Sequence, residues 1–63
     1  MHFIPRYEEV DELLETLGKA RRRAGHLGER AKLLCYLLDM ASLEAGEMLA
    51  EYLADDREQQ QRN

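Results

Sequence analysis

The sequence predicts an all-α fold in which two helices form an antiparallel hairpin, with residues 1–63 as one domain. Apolar residues recur at steps of three and four in two segments, about 5–24 and about 29–55. Gly25 and Gly28 lie between these segments, and a glycine turn over 25–28 would reverse the chain. The net charge is −4 over residues 1–18, +5 over 19–32 and −5 over 33–63. The hairpin would therefore have a basic tip and an acidic open end, and two hairpins packed head to tail would match opposite charges.

Helix 1 is predicted over about residues 5–24. Pro5 suits the first turn, where its missing N–H costs nothing, and the acidic residues that follow suit the positive end of the helix macrodipole. The apolar face consists of Val10, Leu13, Leu14, Leu17, Ala20 and Ala24. Gly25 is predicted to close the helix in the left-handed conformation. Gly18 is either a tolerated glycine, costing roughly 1 kcal/mol relative to alanine, or a point where another backbone comes close.

Helix 2 is predicted over about residues 29–55, and its apolar residues form a regular heptad seam. The seam alternates steps of three and four, the pattern of coiled-coil packing, through Ala31, Leu34, Leu38, Ala41, Ala45, Met48 and Tyr52. Over residues 33–43, further apolar side chains, Cys35 among them, extend beyond the seam, so that this part of the helix is apolar nearly all round. One short helix cannot cover that surface, and the excess predicts a second subunit or a different protein in its place.

The size of the chain also favours oligomerisation. A domain of this length buries only about 60% of the surface that its unfolded chain exposes. The single Cys35 cannot close an internal disulfide, and the sequence has no cysteine–histidine cluster with zinc spacing. We therefore expect dimerisation into a four-helix bundle, with Leu37 and Met40 as apolar anchors. The expected dimer or partner interface consists of Leu33, Leu34, Leu37, Leu38, Met40, Ala41, Leu43, Met48 and Tyr52.

No feature of the sequence points to an enzyme. It has no serine–histidine–acid set, no glycine-rich phosphate loop and no metal motif, so we predict no catalytic, cofactor-binding or metal-binding residues. Glu44, Glu47 and Glu51 share one side of helix 2 and could collect a cation, but without a histidine they are interpreted as a solvated face. The predicted function is a non-catalytic protein–protein interaction module, a regulator or inhibitor that binds itself and a larger protein.

A basic cluster at the hairpin tip has two interpretations. It consists of Lys19, Arg21, Arg22, Arg23 and Arg30. These side chains could contact RNA phosphates or an acidic partner surface, or they could complement the helix C-terminus and the acidic end of a neighbouring subunit. Nucleic-acid binders usually carry net positive charge with aromatic residues among the bases, whereas this chain has a net charge of −4. The second interpretation is favoured, and an RNA-binding four-helix bundle is the alternative function.

The remaining segments bear on location. Residues 1–4 are interpreted as an N-terminal arm and residues 56–63 as a polar tail. The apolar run over residues 33–38 is too short to span a bilayer, and Asp39 interrupts its continuation. The N-terminus lacks the charged start and long apolar core of a signal peptide. We expect a cytoplasmic protein without a membrane partner.

The layout resembles that of the small plasmid-encoded Rop hairpins in length, in its two helices and in its acidic tail. The resemblance implies an antiparallel four-helix dimer and the binding of paired RNA loops. The corresponding face of helix 1 is acidic here, with Glu8, Asp11, Glu12 and Glu15, so the resemblance is one of architecture. In outline the chain also resembles small bacterial and phage-encoded helical hairpins that bind and inhibit a larger protein.

Overall fold

The computed structural model describes residues 5–61, with side-chain exposure for residues 5–55. Helix α1 spans Arg6–Gly25 and helix α2 spans Lys32–Gln61, with a short 3₁₀ helix over Gly28–Ala31 between them. The two helices pack against each other as a hairpin. The predicted all-α hairpin is therefore confirmed. The predicted arm over residues 1–4 and the last two residues of the predicted tail lie outside the described residues.

The ends of α1 follow from its backbone hydrogen bonds. Pro5 lies just before the helix in an extended conformation, with φ −57° and ψ 145°, instead of within the first turn as predicted. Its carbonyl oxygen accepts hydrogen bonds from the backbone N–H groups of Glu8 at 3.0 Å and Glu9 at 3.3 Å. At the other end, the N–H of His26 donates to the carbonyl of Arg23 at 3.1 Å, which tightens the last turn.

The chain reverses at Gly28, and the prediction that Gly25 takes the left-handed conformation is wrong. Among the described residues, Gly28 is the one glycine with positive φ, at 78°. Gly25 ends α1 with ordinary helical geometry, and the right-handed residue His26 follows it. The N–H groups of His26 and Leu27 still donate to carbonyls of α1, and the reversal follows at Gly28, a residue without a Cβ.

Helix α2 begins later and ends later than predicted. The first turn after Gly28 is 3₁₀, and α-helical geometry starts at Lys32 instead of near residue 29. The helix continues to Gln61, six residues beyond the predicted end at residue 55. The predicted tail is thus helical over residues 56–61, because glutamine, glutamate and arginine are good helix formers and no glycine or proline interrupts them.

The molecule is a rod one helix layer thick. Its principal extents are 53, 25 and 11 Å, and the last value equals the diameter of a single helix. The radius of gyration is 15.3 Å, against about 11 Å for a compact domain of this length. Among residues 5–55, the buried apolar residues are only Val10, Ala24, Ala31 and Ala45. A single layer covers each helix on one side, so no large apolar side chain in this range is fully buried.

The less exposed residues of α2 form a stripe that differs from the predicted seam. We call this set the hairpin stripe, and it consists of Ala31, Cys35, Leu38, Ser42, Ala45, Leu49 and Tyr52. It shares positions 31, 38, 45 and 52 with the predicted seam and adds 35, 42 and 49; of the other seam positions, 34 and 41 are exposed and 48 is half-buried. Leu34 and Ala41 are exposed, whereas Cys35 and Ser42 are half-buried. The surface of α2 that contacts α1 is therefore rotated away from the most apolar seam, and the placement of Cys35 outside the packing surface is corrected.

Candidate protein-interaction surface

A group of large apolar side chains lies exposed on the first third of α2. We call it the α2 patch, and it consists of Leu33, Leu34, Tyr36, Leu37, Met40 and Leu43. Each of the six is between 44% and 68% exposed. Scattered exposed leucines are ordinary on protein surfaces, but six large apolar residues within eleven positions of one helix form a continuous surface.

All of the α2 patch except Leu34 lies on the side of α2 that faces away from α1. At 3.6 residues per turn, Leu33, Leu37 and Met40 fall on one line of the helix surface, flanked by Tyr36 and Leu43. That line is about half a turn from the hairpin stripe, so α1 cannot cover it. The sequence places apolar residues on both sides of this stretch, and the hairpin buries only one of them.

The nine residues of the predicted interface divide between the two sides of α2. Leu33, Leu34, Leu37, Met40, Ala41 and Leu43 are exposed. Leu38, Met48 and Tyr52 are half-buried, and Leu38 and Tyr52 belong to the hairpin stripe. The structure therefore leaves the first six available to a partner and uses the hairpin to cover part of the other three.

Two exposed apolar residues on other elements were absent from the predicted interface. Leu13 on α1 is 56% exposed although it was assigned to the apolar face of helix 1, and Leu27 is exposed at the tip. Tyr36, a member of the α2 patch, is also absent from the predicted interface. Its position one turn from Met40 on the same side as Leu33 is the signal that identifies it.

Charged side chains continue the surface of the α2 patch in both directions along the helix. Glu44, Glu47 and Glu51 follow it on the same side of α2 and are exposed. Arg30, in the 3₁₀ helix, and Lys32 precede it and are also exposed, as is the acid Glu29 beside Arg30. The net charge beside the patch is therefore positive towards the hairpin tip and negative towards the open end.

Two residues of the predicted basic cluster are paired with carboxylates. The Arg21 guanidinium donates from Nε to Oδ1 of Asp39 at 2.8 Å, which joins the two helices. The Lys19 ammonium lies 3.9 Å from a carboxylate oxygen of Glu15 on its own helix. Arg22, Arg23 and Arg30 are exposed. Two of the five positive charges are thus matched by carboxylates of the same chain.

The described residues show no arrangement typical of a metal site or a membrane span. Over residues 5–61, no three histidine, cysteine, aspartate or glutamate side chains come together in a way that could hold a metal ion. Within the same range, neither helix has a stretch long and apolar enough to cross a membrane. Cys35 is a free thiol, half-buried on the hairpin stripe. The α2 patch is the surface feature that the fold leaves unexplained.

The chain matches no protein-family model, no curated protein and no solved structure. The functional argument therefore depends on the geometry of the α2 patch and of the charges beside it.

Proposed function

We propose that the protein is a non-catalytic protein–protein interaction module of the cytoplasm. Two hairpins associate through the α2 patch into a homodimer of four helices, and the assembly acts as a small regulator or inhibitor of a larger protein. The observation that carries this proposal is the exposure of six large apolar side chains within eleven positions of α2. Surfaces of this kind on small proteins mark sites of association.

The mechanism is burial of one helix face against another, with a few side chains supplying most of the affinity. Interface energy usually concentrates in a small number of central apolar or aromatic residues, surrounded by contacts that exclude water. Leu37 and Met40 lie at the middle of the α2 patch and are the proposed anchors. A larger protein with an amphipathic helix would use the same anchors, because helix-in-groove recognition depends on residues spaced three and four apart.

Replacing the central anchor with a charge tests this proposal. We expect Leu37→Asp to dissociate the dimer at micromolar concentration, because association would then bury an unpaired carboxylate among leucines. The measurement is the molecular mass in solution by sedimentation equilibrium, with helicity followed by circular dichroism. Leu37 is exposed in the hairpin, so the substitution removes no contact with α1.

Leu53→Asp is the matched control for Leu37→Asp. Leu53 is 41% exposed on the same helix, but it lies outside the α2 patch. We expect this variant to remain dimeric. A wild-type chain that is a folded monomer at high concentration, or a Leu37→Asp variant that dimerises as well as Leu53→Asp, would contradict the proposal.

Among the described contacts, those of the basic cluster do not favour the alternative, an RNA-binding bundle. Arg21 and Lys19 are each matched by a carboxylate of the same chain. Arg22 and Arg23 are exposed, but they are adjacent on α1 and therefore point about 100° apart. Protein association is therefore the better supported of the two functions.

A further inference from the structure

We infer that the surface covering the α2 patch is the α2 patch of a second copy, packed antiparallel and centred near residue 38. The inference rests on the proposed function and specifies its partner, its direction and its register. In this arrangement the two α2 helices lie side by side at the centre of the dimer. The two α1 helices lie outside them, because the patch faces away from α1.

The apolar residues define one centre for such a pairing. The α2 patch begins at Leu33 and ends at Leu43, so its midpoint is residue 38. In an antiparallel pair related by a two-fold axis, each residue faces the one at equal distance on the other side of the axis. An axis near residue 38 therefore places Leu33 near Leu43 of the second copy and Tyr36 near its Met40, while Leu34 and Leu37 fall opposite positions 42 and 39. Sliding one copy by a heptad sets Tyr36 opposite Glu47 in one direction, and Leu37 opposite Lys32 and Met40 opposite Glu29 in the other.

The charged residues favour the same antiparallel direction. Arg30 and Glu47 are equidistant from a point between residues 38 and 39, and Lys32 and Glu44 from residue 38. All four side chains are exposed, and an exposed acid, Glu29, precedes Arg30, so the net charge is positive before the patch and negative after it. An antiparallel pair centred there brings the basic end of each copy beside the acidic end of the other. A parallel pair would place Glu44 and Glu47 beside their own copies, which is repulsive.

The magnitudes indicate that these charges matter for the choice of partner. Burial of the exposed part of each patch side chain favours association through the hydrophobic effect. Association also costs translational and rotational freedom, and this cost is of similar size. Because the two terms are comparable, direction and register depend on the flanking charges, which favour one arrangement and oppose the others.

The test is a pair of charge-reversal variants. The first is Arg30→Glu with Lys32→Glu, and the second is Glu44→Lys with Glu47→Lys. We expect each variant alone to dimerise about tenfold more weakly than the wild type, because like charges then meet at both ends of the patch. We expect an equimolar mixture of the two to recover the wild-type affinity as a heterodimer. Masses are measured by sedimentation equilibrium and composition by native mass spectrometry.

Two controls carry the same changes in net charge on α1. Arg22→Glu with Arg23→Glu matches the first variant, and Glu8→Lys with Glu12→Lys matches the second. All four residues are exposed. We expect both control variants to dimerise as the wild type does, and their mixture to show no preference for heterodimers. A weakening in the controls equal to that in the test variants would show an effect of net charge and would overturn the inference.

A distance measurement tests the direction without altering any charge. A spin label on Ala54→Cys, in a Cys35→Ser background, lies sixteen residues from the proposed axis. The two labels of an antiparallel dimer would be about 48 Å apart, since each residue advances 1.5 Å along a helix. In a parallel pair they would be about 10–20 Å apart, close to the spacing of packed helices.

The outcomes separate this inference from the proposed function. A wild-type chain that does not dimerise removes the proposed function and this inference together. A wild-type dimer with a short Ala54→Cys distance, or with charge variants that do not prefer each other, overturns the antiparallel register and leaves association through the patch intact. A long distance with preferred heterodimers supports both.

Discussion

Backbone conformation distinguishes the glycines of this chain. Gly28 has a φ of 78°, a conformation that costs an L-residue roughly 1 kcal/mol or more. Gly18 lies inside α1, and a Cβ built there would meet the Arg22 side chain at 3.8 Å, which is ordinary contact. Outside α1 itself, no backbone atom of the described residues comes within 4 Å of it, so of the two interpretations of Gly18 the structure supports the tolerated glycine. Glycine is required at position 28 and is a weak point at position 18.

Alanine at these two positions is expected to change stability in opposite directions. Gly18→Ala should raise the free energy of unfolding by up to about 1 kcal/mol, because alanine is the better helix former. Gly28→Ala should lower it by roughly 1 kcal/mol, because the turn forces a Cβ into the left-handed region. Urea titration followed by circular dichroism at one protein concentration measures both. A Gly28→Ala variant as stable as Gly18→Ala would show that the chain does not turn at this residue.

The Arg21–Asp39 ion pair illustrates what residue types alone do not reveal. In the sequence, Arg21 belongs to a run of bases that invites a binding interpretation. In the structure it is half-buried and hydrogen-bonded to the opposite helix at 2.8 Å. Predicting this contact requires the angular position of both residues, which depends on how the helices are rotated about their axes. Because both side chains are partly exposed, the pair contributes at most about 1 kcal/mol.

At the level of the helices, the sequence predicted which elements form better than which sides face each other. The two apolar periodicities and the intervening glycines were sufficient for a hairpin and for helix bounds within a few residues at three of the four ends. The apolar seam of helix 2 was not sufficient to identify the surface that packs against α1, because this helix is apolar on two sides. Small side chains at 31, 42 and 45 line the α1 side, and the larger leucines at 33, 34 and 37 remain outside. Apolar periodicity indicates which residues are covered, but it does not identify the helix or subunit that covers them.

Two neighbouring positions on α2 test the observed rotation of the helix. The predicted seam places Ala41 inside and Ser42 outside, whereas in the structure Ala41 is exposed and Ser42 is half-buried on the hairpin stripe. We expect Ser42→Asp to lower the free energy of unfolding by about 1–3 kcal/mol, because it introduces a charge between the helices without a partner. Ala41→Asp should cost about 0.5 kcal/mol, from helix propensity alone.

The measurement for this pair is urea unfolding at a concentration below the dimerisation constant, so that only the hairpin is tested. Both variants add the same charge to the same turn of the same helix, so their difference reports which position faces α1. A larger loss of stability for Ala41→Asp than for Ser42→Asp would restore the predicted seam and contradict the observed packing.

At the scale of the whole molecule, the single-layer shape determines where the apolar and charged side chains of α2 lie. The hairpin is thin enough that every residue of α2 either faces α1 or remains accessible. The apolar surplus of α2 therefore accumulates on one outer edge, with bases towards the tip and acids towards the open end. The sequence predicted the basic tip, the acidic open end and the excess apolar surface of α2. It could not assign that apolar surface to this edge, because the assignment depends on how α2 is rotated about its axis.

Two arrangements of a four-helix dimer bury different surfaces of the hairpin. A closed bundle stacks two hairpins through a broad face of the layer, so that both helices contribute to the core. Within one hairpin, Leu13 of α1 and Leu34 of α2 lie beside the α1–α2 contact on the same broad face of the layer. Arg21 and Asp39 lie on the opposite broad face. In the antiparallel dimer inferred above, the two α2 helices meet edge to edge and the four helices form a single row. This arrangement, which we call the row, leaves Leu13 in solvent.

Leu13→Asp therefore distinguishes the row from the closed bundle. Leu13 is 56% exposed in the hairpin, so the substitution should change the unfolding free energy of a single hairpin by no more than about 0.5 kcal/mol. In the row, its dimerisation constant should equal that of the wild type, whereas Leu37→Asp abolishes dimerisation in either arrangement. Sedimentation equilibrium on the two variants measures this difference. A Leu13→Asp variant that is monomeric although fully helical would establish the broad face as the interface and would exclude the row.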